Sequence, residues 1–148
     1  MRTHSIKFGL FMLAAFIVFF YILYVLGIGQ RVELFLIIGG IIHFSFMYLA
    51  IQKHYKMYPE DLGNYMSGVA RGMEASVIGI VGFTVFIAIF LVMDATLLTR
   101  LRENANMAAY LTPVTISLFI VATGLMSSLI GSYILTRILD ISLKKQDV

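Results

Sequence analysis

Cysteine and tryptophan are absent from this chain, and charged residues are scarce. Only 13% of the 148 residues are charged and 60% are hydrophobic, with a mean hydropathy of +0.93. An ordinary soluble domain carries about 25% charged residues and about 45–50% apolar ones. The lack of cysteine excludes disulfides, thiolate catalysis and cysteine-ligated metals. The shortage of charge predicts an integral membrane protein.

Basic residues are too few and too scattered to form a nucleic-acid-binding surface. Eleven Lys and Arg residues give a formal net charge of +3 and a pI near 9.3. They are spread over short segments between apolar runs and build no basic domain. We therefore expect the lipid bilayer, and not a nucleic acid, to be the partner of the chain.

Long runs without charge dominate the sequence. A run of about 20 apolar residues crosses a hydrocarbon core of roughly 30 Å as a helix. These runs predict an all-α membrane protein whose four transmembrane helices form one domain, an antiparallel bundle. The predicted spans are 8–30, 34–52, 73–98 and 112–137. Thr112 and Pro113 suit the N-cap and first position of the fourth helix.

Most basic residues fall on one side of this predicted bundle. They lie in the N-terminal tail, in the loop between the second and third spans and in the C-terminal tail. The other side has Arg31, Arg100 and Arg102. Because short loops rich in Lys and Arg stay in the cytoplasm, both termini are predicted to be cytoplasmic.

The loop between the second and third spans predicts a short cytoplasmic interfacial helix. Pro59 followed by two acidic residues is typical of a helix start. Apolar residues then recur at the spacing of one helical face. These residues are Leu62, Tyr65, Met66 and Val69. We expect this helix to lie along the membrane surface before the chain enters the third span.

His43 is the ionisable residue closest to the middle of a predicted span. Ionisable groups inside a membrane are costly and usually face the protein interior or an aqueous path. Gly39 and Gly40 precede it by one turn, so another helix can approach His43 closely. We favour a neutral imidazole hydrogen-bonded to a neighbouring helix. A proton relay, a haem ligand or a quinone contact is the functional alternative.

No catalytic, cofactor or metal site is expected. Haem ligation usually pairs a His with a second His or a Met from a facing helix. His4 and His54 lie at the ends of spans, too far along the axis to pair with His43, and methionine is more often a core filler. The sequence has no His-carboxylate metal motif, nucleophile elbow or glycine-rich phosphate loop.

Charged residues border the third span at both ends. Arg71 and Glu74 are three positions apart and can pair on a helix, and Asp94 is expected to pair with Arg100 or Arg102. Surface pairs of this kind contribute little to stability. We interpret Arg71, Glu74 and Asp94 as rim charges that mark the membrane edges.

Small residues form stripes along two spans, and helices in lipid associate through such residues. The stripes are Gly68, Gly72, Ala75, Gly79 and Gly82 in the third span and Gly124, Ser128 and Gly131 in the fourth. We predict that these two spans pack tightly, near the Gly39, Gly40 and His43 face of the second. The hydroxyls could instead line a polar path. The first span, rich in Phe and Leu, is expected to be peripheral, facing lipid or a partner.

The stretch "LGNYMSGVARGMEASVIGIVG" and the Thr112–Pro113 opening of the fourth span resemble bacterial four-span membrane proteins of a domain-of-unknown-function family. The resemblance implies a location in the bacterial inner membrane. Our leading hypothesis is a non-enzymatic accessory or scaffolding subunit of a larger membrane complex, with protein partners. The alternative is a small homo-oligomeric transporter or channel with a polar path near His43.

Overall fold

The computed structural model describes residues 3–28, 32–103 and 110–144, and helices account for nearly all of them. The helices are α1 (Thr3–Val25), α2 (Val32–Met57), α3 (Tyr65–Met93), α4 (Ala95–Glu103) and α5 (Pro113–Lys144). All but α4 are long and apolar enough to cross a membrane. The predicted membrane-helix bundle is therefore confirmed at this level, while positions 29 and 30 of the first predicted span lie outside the described residues.

The loop between α2 and α3 lacks the predicted interfacial helix. Pro59–Asp61 form a single 3-10 turn, and α3 then runs from Tyr65 to Met93 without interruption. Gly63 has a φ of +93°, a left-handed conformation that ends the helical path and that glycine adopts readily. The apolar residues from Tyr65 onward, which were predicted to lie on the membrane surface, therefore belong to the first turns of α3.

A short amphipathic helix is found in the other long loop, between α3 and α5. The predicted third span ran to position 98, but α3 ends at Met93 and a new helix begins after Asp94. Its Oδ1 accepts hydrogen bonds from the backbone N–H groups of Thr96 (3.0 Å) and Leu97 (3.2 Å) and so caps α4. Leu97 is buried against the apolar core, while Arg100 and Arg102 occupy the last turn of α4.

α1 belongs to the core, so the prediction that the first span is peripheral is wrong. Its aromatic side chains fill the space between α2 and α3, since the Phe16 ring packs against Phe35 of α2 and Phe83 of α3 at centroid distances of 6.4 and 5.2 Å. The backbones of α1 and α3 approach each other closely at Gly9. A Cβ added there would lie 2.7 Å from the carbonyl oxygen of Ala75.

α5 is the outermost of the long helices. Only 11% of its most apolar 18-residue window is buried, compared with 28% for α1 and α2 and 39% for α3. Large apolar side chains such as Leu118, Phe119 and Met126 are more than half exposed. Of the four long helices, α5 therefore presents the largest share of its apolar surface to lipid or to a partner.

The small residues of α3 do not form one seam, because they face two different neighbours. A Cβ at Gly68 or Gly72 would collide with α5 side chains at Thr136 and Ser132, as well as with α2. A Cβ at Gly79 or Gly82 would collide with Met12 and Leu13 of α1. Ala75, between the two pairs, is fully buried. The predicted single α3–α5 stripe is thus divided between α5 and α1.

The other predicted packing residues also differ in their surroundings. Gly124 of α5 lies against Ile80 of α3, as expected, whereas Gly131 lies against the Phe44 ring of α2. Gly39 is in ordinary contact with Phe35, at 3.6 Å from an added Cβ. No described atom lies within 4 Å of an added Cβ at Gly40, so the prediction that Gly40 is a packing residue is wrong.

Candidate functional site

A deeply buried polar cluster lies where α2, α3 and α5 meet. The Nε2 atom of His43 is 3.0 Å from the hydroxyl oxygen of Ser76 on α3 and 3.0 Å from that of Ser128 on α5. Both serines are fully buried, and the His43 side chain stacks on the Phe44 ring. We call these three residues the His43 node. The prediction that the imidazole bonds to a neighbouring helix is confirmed, with two helices in place of one.

The hydrogen-bond directions in the His43 node follow from Ser128. Its hydroxyl donates to the carbonyl oxygen of Gly124 in its own helix, at 2.6 Å. We therefore assign the proton of the imidazole to Nε2, so that His43 donates toward the two serine oxygens. The node ties three helices together and leaves no exposed serine surface for a substrate to reach.

Several hydroxyls of α5 bond back to the backbone of their own helix. Ser117 donates to the Pro113 carbonyl oxygen at 2.7 Å, and Thr123 donates to that of Phe119 at 2.7 Å. Ser132, which is fully buried, donates to the Leu129 carbonyl at 3.1 Å. Such back-bonding satisfies a hydroxyl inside a membrane helix without any neighbour.

A second polar cluster, which the sequence analysis missed, joins the end of α2 to the start of α3. The Nε2 atom of His54 lies 2.7 Å from Asp61 Oδ2 and 2.6 Å from Ser67 Oγ. The Ser67 hydroxyl also donates to Asp61 Oδ2, at 2.9 Å. His54 is buried, and the rings of Tyr55 and Tyr58 lie within 6 Å of its own. We call these three residues the His54 triangle.

The His54 triangle has the residue types of a serine hydrolase but a different geometry. In a catalytic triad the acid and the serine bind opposite nitrogens of the imidazole, so that the acid orients the base. Here one nitrogen serves both, and the hydroxyl of Ser67 points its hydrogen at Asp61. The triangle is a closed set of hydrogen bonds that fixes the loop between the two helices.

The sequence held a signal for the His54 triangle. A stretch of 14 residues contains His54, Asp61 and Ser67. Pro59 and Gly63, which favour a turn, lie within this stretch. Their convergence depends on the turn at Gly63, which redirects the chain from the end of α2 to the start of α3. The predicted interfacial helix would have held these groups apart.

The carboxyl group of Asp61 makes the His54 triangle sensitive to acid. The hydrogen bond from Ser67, followed by that from His54, lowers the pKa of Asp61 from its ordinary value of 3.8. A group whose pKa is lowered in the folded state stabilises that state above its unfolded pKa, and this contribution disappears as the pH falls through the lowered value. We expect the thermal stability of the wild type to exceed that of Asp61→Asn at about pH 6, and this difference to be smaller at about pH 3, below the ordinary pKa of an aspartate.

Thermal unfolding of the purified protein in detergent, followed by circular dichroism at both pH values, measures this difference. Glu60→Gln is the matched control, because it removes a neighbouring carboxyl group that is exposed. Its midpoint should follow that of the wild type at each pH. If the difference in unfolding midpoint between wild type and Asp61→Asn were as large in acid as near neutrality, the proposed contribution of the Asp61 carboxylate to stability would be contradicted.

The predicted rim charges lie at the two ends of α3. Arg71 and Glu74 form the expected ion pair, with 2.8 Å between Nη1 and Oε2. The Oδ2 atom of Asp94 accepts a hydrogen bond of 2.7 Å from the hydroxyl of Tyr24, a contact that the prediction did not include. The Nε of Arg102 donates to the Leu111 carbonyl oxygen at 2.8 Å. Tyr24 in fact links the end of α1 to the start of α4.

Neither a metal site among the described residues nor similarity to a known protein indicates an activity. In the part of the chain that the structure describes, no group of three or more His, Asp or Glu side chains is placed to hold a metal ion. Comparison of the chain with protein-family models, curated proteins and solved structures gave no match. The function is therefore inferred from the geometry of this bundle alone.

Proposed function

We propose that this protein is a non-enzymatic integral membrane protein that serves as an accessory or scaffolding subunit of a larger assembly in the bacterial inner membrane. The observation that carries this proposal is the exposed apolar face of α5. The buried His43 and His54 side chains are tied into the His43 node and the His54 triangle, where they stabilise the bundle, while the exposed apolar surface of α5 remains available for binding. α5 takes over the partner-facing role that we had expected of the first span.

A groove on this face fits the proposed partner, a transmembrane helix of another protein. It has a volume of about 410 Å³ and is almost entirely apolar. Its lining includes Gly131 and Ser127 of α5 and the Phe44 ring of α2. Small residues beside an open groove permit a second helix to approach closely, which is how helices associate in lipid.

The order of the contacts supports an antiparallel bundle. Along α3 the residues Gly68, Gly72 and Ile80 lie against Thr136, Ser132 and Gly124 of α5 in turn. Residue numbers rise on one helix as they fall on the other, as expected of neighbours that cross the membrane in opposite directions. Together with the excess of Lys and Arg on one side, this arrangement supports cytoplasmic termini.

The transporter or channel alternative has weaker support. A path near His43 needs hydroxyls that face an accessible space, but Ser76 and Ser128 are fully buried and Ser128 bonds to its own helix. The hydrogen bonds of the imidazole link three helices, and this packing role explains the presence of His43 without a transport path.

Site-specific photocrosslinking in native membranes tests the partner-facing role of α5. A photoreactive residue at Met126, which is 69% exposed on α5, should give a discrete product with another protein. The same residue at Phe11, 60% exposed on α1, is the matched control and should give lipid adducts only. Equal protein crosslinking from both positions, or none from Met126, would contradict the proposal.

A further inference from the structure

The end of the bundle at Asp94 contains a cavity that the proposed subunit function does not use. It lies between the last turn of α1 and the first turns of α4 and has a volume of about 340 Å³, within the range of about 300–1,000 Å³ typical of small-ligand sites. Its polar lining residues are Tyr24, Asp94, Thr96 and Arg100. We call this cavity the Asp94 pocket.

The Asp94 pocket lies at one end of the membrane-spanning helices. Two of the four candidate membrane spans, His4–Val25 and Tyr65–Met93, end at its border. Val25 and Leu97 provide an apolar side to the pocket, next to the apolar surface of the spans. A ligand that is polar at one end and apolar at the other fits this position.

Both signs of charge face the pocket. The hydrogen bond from the Tyr24 hydroxyl, followed by that from the Leu97 backbone N–H, lowers the pKa of Asp94, so the carboxylate is ionised at neutral pH. The cationic guanidinium of Arg100 also lines the pocket. A carboxylate recognises an ammonium group and a guanidinium recognises a phosphate, each through charge-assisted hydrogen bonds.

We propose that the Asp94 pocket binds a zwitterionic headgroup that carries a phosphate and a primary amine. Arg100 binds the phosphate and Asp94 binds the ammonium, both from positions that line the pocket. Phosphatidylethanolamine of the bilayer and soluble phosphoethanolamine share this chemistry.

Native mass spectrometry of the full chain in detergent tests the proposal, with phosphatidylethanolamine and phosphatidylglycerol added in turn. The wild type should retain phosphatidylethanolamine about tenfold better than phosphatidylglycerol, a difference of about 1.4 kcal/mol. Asp94→Asn keeps an oxygen to cap α4 but removes the charge, and it should abolish this preference. Arg100→Gln should weaken retention of both lipids.

Arg102→Gln is the matched control, because it removes the same charge from the same helix at a residue that does not line the pocket. It should leave retention unchanged. Displacement of the lipid by phosphoethanolamine would identify a soluble source of the ligand, and persistence of the lipid would identify the bilayer; either result supports the site. Equal retention of the two lipids by the wild type, or equal losses in the two arginine variants, would overturn it.

Discussion

Gly9→Ala is expected to destabilise the bundle by about 1–3 kcal/mol, the usual cost of overpacking a core. The added Cβ would lie 2.7 Å from the carbonyl oxygen of Ala75 and 2.8 Å from the Cβ of Ile78. These are atoms of the backbone and of a β-branched stem, which cannot rotate away. α1 must therefore move away from α3, and the aromatic contacts around Phe16 loosen with it. The midpoint of thermal unfolding in detergent measures the loss.

Gly40→Ala is the matched control for this prediction. It makes the same chemical change inside a transmembrane helix, at a position where no described atom lies within 4 Å of the new methyl group. Because alanine is a better helix former than glycine by about 1 kcal/mol, this variant should be unchanged or slightly more stable. If Gly9→Ala were as stable as Gly40→Ala, the close packing of α1 on α3 would be refuted.

His43→Phe is expected to destabilise the protein by about 0.6–1.7 kcal/mol. The phenyl ring preserves the volume and the stacking on Phe44 but leaves the hydroxyls of Ser76 and Ser128 without the imidazole. An unsatisfied buried polar group costs about 1–3 kcal/mol, whereas hydrogen bonds between membrane helices contribute about 0.6 kcal/mol on average and about 1.7 at most. The second range limits the expected effect, because Ser128 keeps its bond to Gly124.

A double-mutant cycle isolates the hydrogen bond from the effect of the ring. His43→Phe and Ser76→Ala should show a coupling of about 0.5–1.5 kcal/mol, since the two residues are in direct contact. Ser117→Ala is the control, because that hydroxyl donates to Pro113 in its own helix and does not contact His43. Additive effects in both cycles would show that the His43 node does not hold the helices together.

The general architecture could be predicted because it depends on properties of single segments. Span length and hydropathy identify the membrane helices, and the small residues before His43 indicate an interior position for its side chain. The Arg71–Glu74 pair was also predictable, since three positions on a helix set its geometry. These features need no knowledge of how the helices are arranged around one another.

The features that the sequence analysis missed depend on the arrangement of the helices. Whether α1 or α5 is peripheral depends on which helix faces meet α3. A helix that is apolar on all sides has no sequence pattern that identifies its buried face. Gly9 is one small residue among phenylalanines, and its importance appears only when Ala75 is placed against it. The His54 triangle needs the left-handed turn at Gly63, and the role of Asp94 needs Tyr24, 70 positions away.

The composition of the assembly recovered from native membranes tests whether this protein is a subunit of a larger membrane complex. Purification of the tagged chain in mild detergent, followed by mass spectrometry of intact complexes and of their digested subunits, gives the mass and the partners together. The account predicts that the 16.6 kDa chain is recovered with other membrane proteins in a defined complex. Recovery of the chain only as a free monomer would contradict it.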